Sequence, residues 1–380
     1  MRTSSRGAVD SFIVMDVMEA ARAAEAEGRD IVRMEVGQPG TPAPAAARAA
    51  LARAMEAGPL GYTVAMGLPE LRARIARLYA DWYGLELDPA RVVVTAGASA
   101  GFILAFLAMF DAGERVGIAD PGYPSYRNIL RGLDLVPERI EGTLANRFQP
   151  TPADVHPGLA GLLVASPANP TGSMLDRPAL AALVEACAAH DVAFISDEIY
   201  HGIQFAGRPV TALEVSDEAV IINSFSKYFS MTGWRLGWMV VPEGLIRQVE
   251  RLAQNLFICP THASQVAALA ALDATDELEA NAAVYAANRA LIVEALPKAG
   301  FLKIAPPDGA FYAYAELPEG MEDSRAFCAR LLAEAGVAAT PGLDFDPVRG
   351  HRTVRFSYAG PTDRVEEGLR RIAAFMAGES

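Results

Sequence analysis

Lysine is almost absent from this sequence, which has 380 residues but only Lys227, Lys298 and Lys303. Arginine makes up the rest of the 33 basic side chains, and 46 acidic side chains outnumber them, so the formal net charge is −13. Proteins that bind nucleic acids or anionic membrane surfaces usually carry clustered basic residues. The charge balance therefore argues against both kinds of partner.

Cysteine and histidine are also rare, with three and five residues. The sequence contains neither a C-x-x-C pair nor an H-E-x-x-H motif, so no metal site is predicted. The odd number of cysteines is typical of a reducing compartment rather than of a disulfide framework. The apolar stretch at residues 12–18 is interrupted by Asp16 and lacks a following cleavage pattern. We therefore expect no signal peptide and a cytoplasmic protein.

Long apolar runs are scarce as well. Residues 92–110 contain no charged side chain, and this run is long enough for a membrane span. The run divides into a β-branched segment at 92–94, a turn of small residues at 95–101 and an apolar segment at 102–110. A buried strand, a tight loop and a buried helix explain this order better than a membrane span.

The composition is that of a protein with a large core, because hydrophobic residues make up 52% of the chain and charged residues 21%. From residue 91 onward, short apolar runs alternate with helical patterns such as residues 178–190. This alternation predicts an α/β fold with a mostly parallel sheet flanked by helices. The predicted strands are residues 92–95, 115–119, 161–165, 192–196, 219–223 and 236–241.

The chain is expected to fold in three parts. Residues 1–35 form an N-terminal helix, with Ser11 as its N-cap, and an arm that packs with the small domain. Residues 36–275 form the large domain, and residues 276–380 form a smaller α+β domain. The smaller domain is predicted to contain a long helix at 276–296, strands at 301–305, 310–316 and 353–358, and helices at 324–335 and from 363 onward.

Small and polar residues follow five of the predicted strands directly. Ligands of open α/β sheets bind in the crevice outside the carboxyl ends of the strands, so these residues are expected to surround one site. One of these segments, residues 97–101, opens a helix, and its backbone N–H groups are suited to holding a phosphate. Its sequence matches neither the dinucleotide-binding nor the P-loop pattern. Another pair, Asp197-Glu198, suits a metal, acid–base chemistry or a helix cap.

Lys227 lies between an apolar strand and an aromatic segment. An ammonium group in such surroundings loses its proton easily, as an imine-forming lysine must. A phosphate loop, a carboxylate, this lysine and a second cation at Arg235 together match the needs of pyridoxal phosphate.

The lysine segment resembles the cofactor-lysine motif of class I/II aminotransferases, which have the aspartate aminotransferase fold (fold type I). The matching residues are Ser224-Phe225-Ser226-Lys227 and Thr232-Gly233-Trp234-Arg235-Leu236-Gly237. Four further motifs match in order and at suitable spacing, so the resemblance covers essentially the whole chain. They are Gly61-Tyr62-Thr63 with Gly67-Leu68 and Leu71-Arg72, Asn169-Pro170-Thr171-Gly172, Asp197-Glu198-Ile199-Tyr200, and Arg355-Phe356-Ser357-Tyr358-Ala359.

The resemblance implies a role for each matching residue. Lys227 attaches the cofactor and moves the proton, Asp197 pairs with the pyridine nitrogen, and Tyr200 with Asn169 bonds the ring hydroxyl oxygen. Tyr123 stacks on the ring. Arg355 binds the substrate carboxylate near Gly37 and Asn169. The phosphate is implied to be held by Ala98, Ser99, Ala100, Ser224, Ser226 and Arg235, and by Tyr62 of the neighbouring subunit in a homodimer.

The sequence departs from the family pattern in the loop before Arg355. Asp346 follows a phenylalanine where relatives often have glycine, so the shape of this loop is not carried over. The side-chain specificity is not carried over either, and His201 and His262 are assigned no role.

The resemblance predicts an aminotransferase that moves an amino group from an L-amino acid to a 2-oxo acid by a ping-pong cycle. A carbon–sulfur β-lyase of fold type I is the main alternative, because Lys227 and Arg355 suit both reactions. A non-enzymatic effector module is disfavoured because no basic helix-turn-helix region precedes Ser11. A nicotinamide dehydrogenase is disfavoured by the missing glycine fingerprint.

Overall fold

The computed structural model describes residues 1–321 and 323–378. Each predicted helix has a counterpart in the structure, and the long helix of the C-terminal part begins at Thr275. Four further helices were not predicted, at Pro69–Tyr83, Pro124–Gly132, Ile246–Leu256 and His262–Ala271. The helices of the described residues are α1 (Ile13–Ala26), α2 (Ala45–Ala57), α3 (Pro69–Tyr83), α4 (Ala98–Met109), α5 (Pro124–Gly132), α6 (Arg177–Ala189), α7 (Ile246–Leu256), α8 (His262–Ala271), α9 (Thr275–Lys298), α10 (Ser324–Ala335) and α11 (Thr362–Ala377).

The strands form three sheets. The largest has the order β2-β8-β7-β6-β5-β3-β4, a three-stranded sheet has the order β11-β12-β9, and β1 pairs with β10. The strands are β1 (Val32–Arg33), β2 (Val92–Thr95), β3 (Arg115–Asp120), β4 (Val136–Glu141), β5 (Gly161–Ala165), β6 (Ala193–Asp197), β7 (Val220–Ser224), β8 (Gly237–Val240), β9 (Tyr312–Glu316), β10 (Val337–Ala338), β11 (Thr340–Pro341) and β12 (Thr353–Ser357).

The large sheet is mostly parallel, and helices flank it. Its parallel pairs run from β4 through β3, β5 and β6 to β7, whereas β8 is antiparallel to both β7 and β2. Asp197 at the end of β6 lies beside Ala165 of β5 and Ile222 of β7. The carboxyl ends of these strands therefore meet at one edge of the sheet. The predicted α/β fold class is confirmed.

The charge-free run at residues 92–110 folds as expected from its order of residues. It forms β2, a short turn and α4, and eight of the twelve residues of α4 are buried. A helix that is apolar all round needs a core on every side, and α4 packs against β7, β8, α5 and α7. No helix of the described residues is long and apolar enough to cross a membrane.

The two-residue strands β1, β10 and β11 were not predicted. Two predicted features are wrong, and one strand of the large sheet was also not predicted. Ser11 does not cap α1, which begins at Ile13 after Phe12. Residues 301–305 form only an isolated bridge between Ile304 and Ala315, because the two prolines that follow lack backbone N–H groups for a longer ladder. The unpredicted strand of the large sheet is β4, whose sequence Val-Pro-Glu-Arg-Ile-Glu suits an exposed sheet edge and hides its apolar periodicity.

The N-terminal segment contacts the last third of the chain. β1 is parallel to β10, with Val32 beside Val337. The first backbone N–H groups of α1, at Ile13 and Val14, donate to the side chain of Asp344. This carboxylate takes the capping role that was predicted for Ser11.

Candidate active site

One cavity of about 210 Å³ lies where β5, β6 and β7 end. Its wall contains twelve of the fourteen residues that the sequence indicated. Ala100 is buried in α4, away from the cavity wall, and Tyr62 is 84% exposed on the surface. The twelve are Gly37, Ala98, Ser99, Tyr123, Asn169, Asp197, Tyr200, Ser224, Ser226, Lys227, Arg235 and Arg355.

The amine of Lys227 lies inside this cavity, three residues beyond the end of β7. Its Nζ donates a hydrogen bond to the backbone oxygen of Gly37 at 2.5 Å and lies 5.7 Å from the centre of the Tyr200 ring. Burial, helped by the positive charges of Arg355 and Arg235, lowers the pKa of Lys227 to about 7. A large share of this amine is therefore unprotonated at neutral pH, and this is the nucleophilic form.

Gly37 allows the N-terminal segment to approach a pair of tyrosine hydroxyl groups. The hydroxyl oxygens of Tyr200 and Tyr312 are 2.6 Å apart. A Cβ atom at position 37 would lie 1.7 Å from the Tyr312 oxygen. Only a glycine fits here without moving Tyr312, so the backbone oxygen that contacts Lys227 depends on this residue type.

The carboxylate of Asp197 is buried at the end of β6. One oxygen accepts a hydrogen bond from the Tyr126 hydroxyl, and the other accepts one from the backbone N–H of Ile199 at 3.0 Å. Burial raises the pKa of Asp197 to about 6, although these hydrogen bonds and the charge of Lys227 oppose the rise. Among the described residues no cation is hydrogen-bonded to it, so this buried carboxylate is suited to a positively charged partner.

The opposite end of the cavity is suited to an anion. The N-terminal turn of α4 begins at Ala98 and presents backbone N–H groups that have no partner within the helix. The hydroxyl groups of Ser224 and Ser226 lie 2.9 Å apart beside it. A Cβ atom at Gly97, which has a φ of +77°, would come within 2.5 Å of the Arg235 guanidinium. The glycine therefore lets this cation approach the helix N-terminus.

Arg355 is 97% buried in the cavity wall, on β12. One terminal nitrogen donates to the Asn169 side chain at 2.8 Å, and the other donates to the backbone oxygen of Glu35 at 2.5 Å. Its guanidinium lies between the rings of Tyr312 and Phe345, at 4.3 and 4.6 Å from their centres. The Nε atom has no hydrogen-bond partner. A carboxylate is the group that best satisfies such a planar cation.

Several residues of the site were not predicted from the sequence. Tyr126 and Tyr312 contact Asp197 and Arg355 across more than forty residues of chain, and neither belongs to a recognised motif. The only signal for Tyr126 is its position three residues after Tyr123. The other unpredicted wall residues include an apolar group from the N-terminal segment, namely Phe12, Val14, Met15, Met18 and Val36.

The neighbouring pair Glu198 and His201 is buried outside the cavity wall. One Glu198 oxygen accepts hydrogen bonds from Ser196, Thr211 and the backbone of Ala212, and burial raises the Glu198 pKa to about 8. Burial also lowers the pKa of His201 to about 4. At pH 7 both side chains are mainly neutral, which is the expected state for buried groups without charged partners.

The donor set of the cavity fits pyridoxal phosphate. Lys227 supplies an amine that is partly unprotonated at neutral pH, Asp197 supplies a buried carboxylate without a bonded cation, and the turn before α4 with Arg235 supplies an anion site. Tyr123 also lines the cavity, and the Phe12 ring packs edge-on against it with 5.7 Å between the ring centres.

Comparison with known proteins decides the family. Residues 29–372 match the family model described as Aminotransferase class I and II. The chain belongs to this family. It is 48% identical to valine–pyruvate aminotransferase from Mycobacterium tuberculosis, and the alignment covers 100% of this chain and 99% of that protein. It is 33% identical to a (5-formylfuran-3-yl)methyl phosphate transaminase from Methanocaldococcus jannaschii, over 97% of each.

Solved structures agree with this assignment. An aminotransferase from Mycobacterium tuberculosis matches this aminotransferase with a TM-score of 0.97, 48% identity and full coverage of both chains. Aspartate aminotransferase from Thermus thermophilus with maleate matches with a TM-score of 0.92 and 31% identity, over 98% of this chain and 99% of that one. The predicted fold type I, the aminotransferase activity and the dependence on pyridoxal phosphate are confirmed.

The aminotransferase is expected to take up its cofactor with a pH midpoint near 7. Below this pH Lys227 is an ammonium and cannot attack an aldehyde, and above it the free amine predominates because burial lowers its pKa. The measurement is the rate at which cofactor-free enzyme binds pyridoxal phosphate covalently, followed by absorbance between pH 5.5 and 9. A rate that is still rising steeply at pH 9, as the ordinary lysine value of 10.5 would give, would contradict the buried environment.

Proposed function

We propose that the amino donor of this aminotransferase has an apolar side chain. Three cations line the cavity among the described residues: Lys227, Arg235 and Arg355. The first lies at the reacting centre, the second is assigned to the phosphate and the third to the substrate carboxylate. No guanidinium is left for a second carboxylate of the substrate, and a buried carboxylate without a partner is costly.

The apolar wall of α1 supports this donor class. Phe12, Val14, Met15 and Met18 face the cavity beside Val36. An aliphatic side chain that contacts this wall leaves water and gains about 0.8 kcal/mol for each buried methylene. The name of the relative from Mycobacterium tuberculosis, valine–pyruvate aminotransferase, agrees with a donor of this kind.

The proposed mechanism assigns the acid–base work to Lys227 and Asp197. Pyridoxal phosphate supplies a ring that takes up the electron pair left on the substrate Cα. Lys227 would hold the cofactor through its amine, and when that amine is free it would take the proton from the substrate Cα. Asp197 holds a proton on the ring nitrogen, because a buried carboxylate favours a cation next to it. Tyr200 and Asn169 donate hydrogen bonds to the ring oxygen.

Binding and orientation are assigned to the remaining residues. Tyr123 would pack on the ring face, and Arg355, which lines the cavity, would receive the substrate carboxylate with its guanidinium. Asn169 and Phe345 restrict the guanidinium to one orientation, so little freedom is lost when substrate binds. The phosphate is assigned to the backbone at Ala98, Ser99 and Ala100, to Ser224 and Ser226, and to Arg235.

Spectra of the half-reaction test the donor class. Holoenzyme mixed with valine or leucine is expected to pass from the pyridoxal to the pyridoxamine form, whereas aspartate reacts with kcat/KM lower by about 10-fold or more. A preference for aspartate would overturn the proposed donor class without affecting the aminotransferase assignment. Release of ammonia and pyruvate from a β-substituted donor would support the lyase alternative, for which the comparisons give no evidence.

We propose further that the active unit is a homodimer in which Tyr62 reaches the phosphate of the neighbouring subunit. Arg235 is exposed in the single chain. Tyr62 and nearby apolar side chains are also exposed, including Val64, Leu256 and Ile258. A second copy of the chain is the occupant that would cover these residues and bring a tyrosine to the anion site.

Mixing two inactive variants tests the shared site. Lys227→Ala lacks the amine but keeps Tyr62, whereas Tyr62→Ala keeps the amine and is expected to bind the cofactor about 10-fold more weakly or worse. At limiting cofactor, hybrids formed by refolding the two together contain one complete site and regain activity. If Tyr62 acts within its own chain, or not at all, mixing restores nothing.

The division into residues 1–35, 36–275 and 276–380 is also part of this proposal. The strands of the large sheet fall between residues 92 and 240, and those of the three-stranded sheet fall between residues 312 and 357. A cytoplasmic location is supported by the three cysteines, which are free thiols.

A further inference from the structure

The N-terminus of α1 is held by a side chain 330 residues away. The carboxylate of Asp344 is fully buried, and its two oxygens accept hydrogen bonds from the backbone N–H groups of Ile13 at 2.9 Å and Val14 at 3.2 Å. Phe12 precedes the helix and has no side chain that can cap it. A charged carboxylate at a helix N-terminus satisfies unpaired N–H groups and interacts favourably with the helix dipole.

The turn that contains Asp344 also contacts the carboxylate-binding arginine. Asp344 ends the 3₁₀ turn Gly342–Asp344, and the next residue, Phe345, packs its ring against the Arg355 guanidinium. The backbone oxygen of Asp344 accepts a hydrogen bond from Arg127 at 2.8 Å. Asp344 therefore contacts α1, and the next residue, Phe345, contacts Arg355.

The loop that follows this turn is internally fixed. Asp346 accepts hydrogen bonds from the backbone N–H groups of Val348 and Arg349 and from the Arg349 side chain. It also pairs with Arg139 at 3.0 Å. The turn is thus fixed by Arg127 at Asp344 and by the contacts of Asp346. Its position therefore does not follow a shift of α1.

We propose that Asp344 is a positioning residue that sets the distance between the apolar wall of α1 and the guanidinium of Arg355. This inference rests on the proposed function, because it assumes that the wall receives the donor side chain. The carboxylate of the donor is held by Arg355, and its side chain extends toward Val14 and Met18. Release of α1 moves the wall, while the hydrogen bonds that Arg355 donates to Asn169 and to the Glu35 backbone remain. The Asp344 carboxylate also acts on Arg355 through its charge, and loss of that charge affects all donors alike.

The predicted effect depends on the length of the donor side chain. In Asp344→Ala, KM for valine rises about 10-fold, the size expected when contact with one or two methylenes is lost. KM for alanine, whose methyl group is too short to reach the wall, changes by less than about threefold, and kcat is nearly unchanged for both donors. Asp344→Asn keeps one acceptor and is expected to give a smaller rise for valine.

Asp16→Asn is the matched control. Asp16 is an exposed aspartate in the first turn of α1 that does not line the cavity. It is expected to keep the KM values of the parent enzyme. Hydrogen exchange at the Ile13 and Val14 amides supplies a readout that is independent of donor choice. Exchange is expected to rise in Asp344→Asn and to stay unchanged in Asp16→Asn.

Two results would overturn the inference. One is an equal rise of KM for alanine and valine in Asp344→Asn, and the other is unchanged exchange at the two amides. Asp344→Asn serves as the decisive variant if Asp344→Ala does not fold. If the parent enzyme itself prefers aspartate to valine, the proposed donor class fails, and the exchange measurement still decides whether Asp344 fixes α1.

Discussion

Replacement of Lys227 by alanine is expected to lower kcat by about 10⁴-fold or more, since both covalent attachment and proton transfer are lost. Lys227→Arg is expected to be equally inactive, because a guanidinium stays protonated at neutral pH and cannot act as this amine. The half-reaction rate with valine measures the loss. Borohydride treatment followed by peptide mass spectrometry checks the attachment, which should label Lys227 in the parent enzyme and no lysine in either variant.

The other two lysines are the matched controls for this experiment. Lys298 pairs with Glu294 at 2.6 Å, and Lys303 pairs with Glu316 at 3.0 Å, both on the surface. Exposed ion pairs contribute little, so Lys298→Ala and Lys303→Ala are expected to keep the parent kcat and the borohydride label. Full activity in Lys227→Ala would contradict the assignment of this lysine.

Asp197→Asn is expected to lower kcat by about 10²–10³-fold or more, because the change removes a buried negative charge from the reacting site. The amide keeps an oxygen for the Ile199 N–H group, so the loss reflects charge more than shape. The proton on the ring nitrogen is then no longer stabilised. The half-reaction rate gives the size of the effect, and pyridoxal phosphate affinity is measured in parallel.

Glu198→Gln provides the control at the next position of the chain. Glu198 is also buried, but its raised pKa of about 8 keeps it mainly protonated at pH 7. A glutamine oxygen can accept the same hydrogen bonds from Ser196 and Thr211. We expect kcat to change by less than about threefold, which is under 1 kcal/mol. If both substitutions were equally damaging, the required charge would not belong to Asp197 alone.

Part of this site could be predicted from strand ends alone, and other residues, including Gly37 and Arg355, were predicted only from the family resemblance. Asp197, Ser224 and Lys227 lie at or just beyond strand ends, and the rule for ligands of α/β sheets brings them to one edge. The apolar runs located six strands of the large sheet, because strands that are buried on both faces are continuous in hydrophobicity.

The residues that were missed act across long stretches of chain. Tyr126 contacts Asp197, and Asp344 contacts Ile13, but no local pattern of the sequence records either pairing. The capping prediction at Ser11 was wrong for the same reason, because a remote carboxylate takes the helix N–H groups that a nearby hydroxyl was expected to bind. Rules based on neighbouring residues in the sequence compare only groups that are close along the chain. They omit partners that folding brings in from distant segments.

The pairing of β1 with β10 has a consequence for synthesis of the protein. Val32 needs Val337 beside it, and the backbone oxygen of Glu35 needs Arg355. At about 5–20 residues per second, a ribosome takes about 15–60 seconds to translate the 300 residues that separate these partners. The first segment to leave the ribosome is therefore among the last to form its tertiary contacts. The apolar side chains of this segment stay uncovered, and so accessible to chaperones, throughout that interval.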